Sequence, residues 1–380
     1  MSVRRPILVC EYLLSDPAAW QTASSSMQRE AAAMLTAIVQ DLNPLEDLRA
    51  AVLLSTSAAD MLRSSGRIDS CAEIIITEYG PAAWLREPSH APSSFDATLV
   101  IAPECRQILV SLLKQIQSDA WKSVRNLNVS WSMAEIFTDK YRTFQWLRNH
   151  GISTPATKTL DDAECDRLCS DQMFALNEQE SHDESLSDSH RLAVIKPRDG
   201  VGCDQIQLIP MRPGRFDRQP LIRFVDDPWI LQKYLPGVPC SVGFIGGGSA
   251  LPTVILPPGQ QDIRMNGRVP GYSGGQIPCG RQIASAVTEV AEQLARAFGA
   301  FSGYVGADLV VTRHTPGISK AHVIEINPRL CTSYVGYRAL AKDNLAAILL
   351  QQSQQQLFRW NSGTVHFDSS GNVEMVDQVP

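Results

Sequence analysis

The run Ala321–Tyr334, AHVIEINPRLCTSY, sets a carboxylate, a carboxamide and a guanidinium at steps of two: Glu325, Asn327 and Arg329. Val323, Ile324 and Ile326 around them are residues of a buried strand. Side chains on a strand alternate between faces. Val323, Glu325, Asn327 and Arg329 are therefore expected on one face, with Ile324 and Ile326 on the other. An unpaired carboxylate buried there is costly. Either a cation neutralises Glu325, or the face is the solvated side of an edge strand.

A second strand, GYVGADLVVT, lies just upstream, and Pro316-Gly317 marks a turn between the two. If the strands pair antiparallel about that turn, Asp308 lies opposite Glu325, about 5 Å away on one face. Carboxylates that close repel and raise each other's pKa, and a divalent cation between them removes the repulsion. Asn327 adds a neutral oxygen. Hard oxygen ligands from few protein groups suit Mg²⁺, and Arg329 is placed to hold an anion bound to that metal. A slip of one residue would send Asp308 to the opposite face.

Two further stretches carry candidate chemistry. VIKPRDGVGCDQIQ sets Lys196 at the end of a strand, ahead of Gly200 and Gly202. Glycines let backbone N–H groups approach phosphate without a Cβ in the way, and the lysine adds a point charge. The Walker A spacing is missing, and a hairpin turn with an exposed lysine fits the same residues. WILQKYLPG leads an apolar strand into Gln232, Lys233, Tyr234 and Leu235. Their backbone groups could meet the edge of a purine while Leu235 packs on its face; an ordinary core strand is the other reading.

The elements that must position these residues alternate in type. PILVCEY, AAVLLST and ATLVIAPE read as strands, AEIIITEY as a strand or a helix end, and SMQREAAAMLTAIVQDL and CRQILVSLLKQIQSD as helices. That order predicts a doubly wound α/β domain, without a GxGxxG after its first strand. SWSMAEIFTDKYRTFQWLRNHGISTP predicts a helix with Thr138 as N-cap and Gly151 as its stop. Asn177 to His190 is polar and acidic and reads as a solvated loop. QIASAVTEVAEQLARAFG places Ile283, Val287, Val290, Leu294 and Phe298 on one helical stripe, closed by Gly299. The segment after Leu357 reads as a polar, loosely held tail.

Composition excludes some functions. The chain has 380 residues, 44% hydrophobic and 19% charged, with a net charge of −6. No basic field or patch points to nucleic acid, and no apolar run reaches membrane-helix length. MSVRRPILVCEYLL has arginines before an apolar stretch, but Glu11 interrupts it, so a first strand is expected rather than a secretory signal. The nine cysteines are scattered and form no CxxC. Free thiols and a cytoplasmic location are expected, with no transition-metal site.

Taken in order, these motifs resemble the ATP-grasp superfamily of carboxylate–amine ligases, over roughly Val124 to Leu350. The resemblance implies an N-terminal doubly wound, Rossmann-like pre-ATP-grasp domain (1–123). A two-part α+β ATP-grasp fold follows: 124–235, with a small lid bearing Lys196 and the glycine-rich loop, and 236–357, with the metal site. Residues 358–380 are the tail. It implies ATP and Mg²⁺, with Mn²⁺ as an alternative. Lys140 and Lys196 would bind phosphates, Gln232 to Leu235 adenine, and Asp308, Glu325 and Asn327 the metal, with Arg329 on the terminal or acyl phosphate. Arg264 is the candidate for the substrate carboxylate or tetrahedral intermediate, with a surface arginine in a loop as its alternative, and Arg338 is a weaker candidate of the same kind. The sequence departs from the superfamily pattern at PGVPCS, which lacks the ribose-binding glutamate; Asp226 and Asp227 are the substitutes considered. The partners implied are a small carboxylate and a small amine, with a homodimer as an available assembly. ILVCEY, IAPE, GYSGGQIP and EINPRLCTSYVGYR add a narrower likeness to ligases that join glutamate to tyramine in methanofuran biosynthesis. Ligation of other amino acids, or ATP sensing without turnover, remain the alternatives.

Overall fold

The structure is a computed structural model that describes residues 5–45, 48–68, 72–87, 90, 94–160, 192–200, 205–210, 228–315, 318–351 and 358–376. Gly202, Asp226, Asp227, the 177–190 segment and the Pro316-Gly317 dipeptide lie outside the described residues. Among those described, no helix is long and apolar enough to cross a membrane.

Apolar runs in the first third of the chain build a parallel sheet. Its strands are β1 (Arg5–Glu11), β2 (Leu48–Leu54), β3 (Glu73–Ile76), β4 (Ala97–Ile101) and β5 (Arg125–Asn126), in the order β3-β2-β1-β4-β5. Ile7, Leu8, Val9 and Cys10 are all buried because helices cover both faces. Reversal of strand order between β2-β1 and β1-β4 makes a crevice at the C-terminal ends of β1 and β4. Two glutamates sit there: Glu11 ends β1, and Glu104 follows β4.

The expected helix is Lys140–Asn149, and a shorter one, Trp131–Phe137, precedes it. Thr138 closes the shorter helix, and the N-cap of the longer is Asp139 rather than Thr138. The Asp139 backbone is extended and its carboxylate accepts from the Tyr141 and Arg142 amides, at 2.9 and 3.0 Å. A charged acceptor able to serve two orphan amides outcompetes a neighbouring hydroxyl. Gly151 adopts the left-handed conformation expected of the stop.

A small antiparallel sheet follows: β6 (Thr157–Leu160), β7 (Leu192–Pro197), β8 (Gln207–Pro210) and β9 (Trp229–Lys233), in the order β6-β9-β7-β8. The largest sheet contains β10 (Val238–Gly247), β11 (Leu251–Ile255), β12 (Gly259–Asn266), β13 (Val269–Ile277), β14 (Ser302–Thr315), β15 (Ile318–Asn327), β16 (Thr364–Asp368) and β17 (Val373–Val376). One face packs the helix Arg281–Phe298 through Val305, Ala307, Leu309 and Val311. The other face carries Tyr304, Gly306 and Asp308, by the strand period of two.

The helix Ser333–Leu340 ties this sheet to the N-terminal domain. Tyr334 Oη donates to Asp41 Oδ2 at 2.7 Å and Arg338 Nε to Asp41 Oδ1 at 2.9 Å, both on the helix Ser25–Leu42. Arg338 is thus paired with Asp41, with part of its side chain still exposed.

The segment beyond Leu357 is not a loose tail. β16 pairs with β13 and β17 with β16, and Val365 and Phe367 are buried. Alternating Val365 and Phe367 supply the apolar face that a reading of overall polarity hides. Gly274 permits the pairing: its φ is +131° and a Cβ there would lie 2.1 Å from the Phe367 carbonyl oxygen. Gly274→Ala should force β16 off β13 and lower the thermal midpoint by about 5 °C or more. A melt within a degree or so of wild type would refute the close approach.

Candidate functional site

β14 and β15 pair antiparallel with Asp308 opposite Glu325, Ala307 opposite Ile326 and Gly306 opposite Asn327. The register expected from the turn holds at the carboxylates, although Leu309 to Arg313 pair one residue out of it, with Val323 to Ser319. Two shifts bound that stretch, one between Arg313 and Thr315 and one beside the carboxylates. The ladder shifts between Asp308 and Leu309, so Leu309 pairs with Val323 and Ile324 is an extra residue. Val323 packs with Ile326 in the same core instead of sharing a face with Glu325, and Ile324 is only partly buried. The bulge breaks strict alternation and releases Glu325 from the apolar face on which Val323 ends.

Asp308 is hydrogen-bonded through both oxygens. Asn327 Nδ2 donates to Oδ2 at 2.9 Å, and Gln261 Nε2, from β12, donates to Oδ1 at 2.8 Å. Burial, and then the Glu325 charge, push its carboxyl up to about 6. Glu325 meets a cation: Lys140 Nζ stands 3.3 Å from its Oε1. Lys140, 6% exposed, also donates to the Gly200 carbonyl at 2.6 Å. Its own amide donates to the Arg198 carbonyl, and Arg198 grips Asp139 through Nε and Nη2. The start of the helix Lys140–Asn149 thus joins the candidate metal strands to the loop after β7.

These groups suit a divalent cation. Two carboxylates face each other, one with its pKa raised by burial and by its neighbour, while a lysine shared with a carbonyl is the cation at the other. Among the described residues there is no cluster of three or more His, Cys, Asp or Glu able to hold a metal. The donor set is two carboxylates and an amide, as a hard, phosphate-sharing ion requires. The Asn327 nitrogen faces Asp308; a turn of the amide exchanges it for the oxygen.

The remaining candidates divide. Lys196 is buried at the end of β7. Gln232 donates to Thr157 Oγ1 at 3.1 Å. The Lys233 and Tyr234 amides donate to the Ala156 and Leu192 carbonyls. Leu235 follows these as the next residue able to offer a backbone N–H. Arg264 lies on β12, not in a loop, and is exposed. It pairs with Gly271 of β13, beyond the irregularity in the ladder between Gln261 and Ile263.

Arg329 is not free. Its Nε donates to Glu104 Oε1 at 2.8 Å, Nη2 to Oε2 at 3.1 Å and Nη1 to the Leu330 carbonyl at 3.1 Å. Glu104 is buried, whereas Arg329 keeps 11% of its side chain exposed. Glu11 lies close to this pair; burial pushes its carboxyl up to about 8, opposed by the Leu14 amide bond and by Arg329. Glu30 accepts from Thr332 Oγ1. Glu104 and Gln261 were missed as site residues. The signal for Glu104 was its place after the last residue of a parallel strand, at the crevice where α/β sheets bind ligands. Nothing in the sequence marks Gln261.

Asp308 predicts a pH and metal dependence. A carboxyl whose folded pKa lies above its unfolded one gives stability that is full below about pH 4 and lost as the pH rises through about 6. Without divalent ions, Asp308→Asn should melt at or above wild type near pH 7.5, and the two should converge near pH 4. Millimolar Mg²⁺ should raise the wild-type midpoint and leave Asp308→Asn unmoved; thermal melts across pH check both.

Comparison with known proteins agrees with this architecture. A family model described as ATP-grasp domain matches residues 137–333. A tyramine–L-glutamate ligase of Methanocaldococcus fervens is 24% identical over 261 residues, covering 69% of this chain and 67% of that protein. The chain therefore spans about two thirds of the length of that curated relative. Among solved structures, a putative ATP-grasp superfamily protein from Archaeoglobus fulgidus aligns with a TM-score of 0.62 at 19% identity, over 95% of this chain and 92% of that one. The biotin carboxylase domain of a Hydrogenobacter thermophilus 2-oxoglutarate carboxylase, a dimer in complex with MgADP, ADP and bicarbonate, aligns at 0.64 and 10% identity, over 96% and 74%. At these identities the structures show a common fold.

Proposed function

The chain belongs to the ATP-grasp family, and from that premise we propose that it is an ADP-forming ligase that joins a carboxylate to an amine. One observation carries the reading. Asp308 and Glu325 face each other beside Asn327, and the lysine at Glu325 also holds the loop that follows β7.

In this reading the substrate carboxylate attacks the terminal phosphorus of ATP, giving an acyl phosphate and ADP. The amine then attacks the acyl carbon and expels phosphate. Asp308, Glu325 and the Asn327 amide would hold Mg²⁺, which when bound offsets the charge of the phosphate oxygens; Mn²⁺ is the alternative ion. Lys140, beside Glu325 and the Gly200 carbonyl, would supply positive charge to the phosphates. Lys196, buried at the mouth of the small sheet, adds a second fixed positive charge. The backbone after Pro197, Gly200 included, covers the phosphates and keeps water from the acyl phosphate. Leu235 offers its amide to the purine. Arg329 directs the N–H groups that Glu104 and Leu330 leave over toward the transferred phosphoryl group.

The boundaries near 123 and 235 are proposed as those of the N-terminal domain and the lid-bearing part. The described cysteines are free thiols, which supports a cytoplasmic location. A homodimer is the assembly carried over from the family. Glutamate with tyramine is the substrate pair to test first, because the named relative couples those two.

A screen of carboxylates and amines, read by ADP release and hydroxylamine trapping, should give ADP and a hydroxamate with one carboxylate class. ATP binding without ADP from any pair would instead support a sensor. Glu325→Gln, which strands the buried Lys140 ammonium, should still fold but melt below wild type, and should lose about a hundredfold or more of turnover; unchanged activity removes the metal reading. Lys196→Ala should raise the ATP concentration needed for half-maximal rate by about tenfold or more, and an unaltered requirement refutes its phosphate role.

A further inference from the structure

The turn that follows β4 touches both halves of the proposed machinery. Glu104 grips Arg329 through two parallel hydrogen bonds. Two residues on, the Arg106 amide donates to Asp199 Oδ2 at 2.9 Å, on the loop between β7 and Gly200. Arg106 and its neighbour Gln107 both have positive φ, 51° and 57°, though neither is glycine. Gln107 then starts the helix Ile108–Ile116. Two successive left-handed residues with side chains persist only where contacts on either side hold them. Here those contacts are the helix start on one side and Asp199 on the other.

We propose that the Glu104–Gln107 turn couples the loop after β7 to Arg329, with Glu104 as the positioning residue that aims the guanidinium. The proposal rests on the ligase reading for what Arg329 does, but not for the coupling itself. Of the five N–H groups of Arg329, Glu104 takes one on Nε and one on Nη2, and Leu330 takes one on Nη1. Two N–H groups are left, one on each terminal nitrogen, and their direction is fixed by the other three. With the loop seated, Asp199 anchors the Arg106 peptide and Glu104 is held in place. With the loop lifted, the strained peptide loses its acceptor and relaxes, and Glu104 shifts with it. The N-terminal domain thereby makes the aim of Arg329 conditional on the position of the phosphate-covering loop.

The test has two arms. Hydrogen exchange of the peptide spanning residues 103–109 is followed with Mg²⁺ and a non-hydrolysable ATP analogue. The analogue should slow exchange at Arg106 about tenfold in wild type and have no such effect in Asp199→Ala. The same response in both proteins, or none in wild type, overturns the coupling. In the second arm, Glu104→Gln should lower kcat about tenfold or more and leave the KM for ATP within about threefold. Combined with Arg329→Lys it should add little to the loss from Arg329→Lys alone. Multiplying losses would overturn the positioning role; Glu104→Asp, which keeps the charge and shortens the reach, serves if Glu104→Gln does not fold. Wild type that releases no ADP with any substrate pair yet retains the exchange response would remove the ligase reading and leave the coupling standing.

Discussion

Two like charges held face to face are the constraint from which the rest of this structure follows. β14 and β15 place Asp308 and Glu325 directly opposite one another, on the sheet face that does not pack the helix Arg281–Phe298. In a partly buried setting each charge disfavours the other. The protein answers asymmetrically. Asp308 receives two amide donors and a raised pKa; Glu325 receives a buried lysine. Neither answer is a full neutralisation, which keeps the pair receptive to a divalent ion. Lys140 also helps to hold the loop after β7, since one ammonium bonds both Glu325 and the Gly200 carbonyl.

The N-terminal domain takes part in this arrangement. Two of its contacts with the C-terminal part of the chain differ in character. At Asp41, a tyrosine, an arginine and the Asn344 amide converge on one residue of a long helix, which fixes the domains together. At Glu104, a single bidentate pair reaches the strand end that carries the candidate ligands. Breaking a buried pair by removing one partner leaves the other charge stranded, so Glu104 and Arg329 depend on each other beyond any role in chemistry.

Much of this could be read from the residues, for identifiable reasons. The parallel sheet, the long amphipathic helix and the opposition of Asp308 to Glu325 follow from short-range patterns: alternation, a helical stripe and one turn dipeptide. What escaped was set by geometry that no local pattern encodes. The extra residue at Ile324 looks like any β-branched strand residue. Asp139 and Thr138 are both competent caps, and only the reach of the carboxylate to two amides separates them. Glu104 and Arg329 lie far apart in sequence, so their pairing needs the domains already docked.

The pairing of β16 with β13 has a consequence for how the molecule is made. β13 and its partner β12, which bears Gln261, are written long before Thr364–Asp368. During synthesis from the N-terminus, the edge of β13 waits unprotected while nearly ninety further residues, by the numbering, emerge from the ribosome. An open edge of that kind invites wrong strands. The nascent chain is therefore most exposed to misassociation late in translation, when the parallel sheet can already have folded and the large sheet still lacks its last two strands.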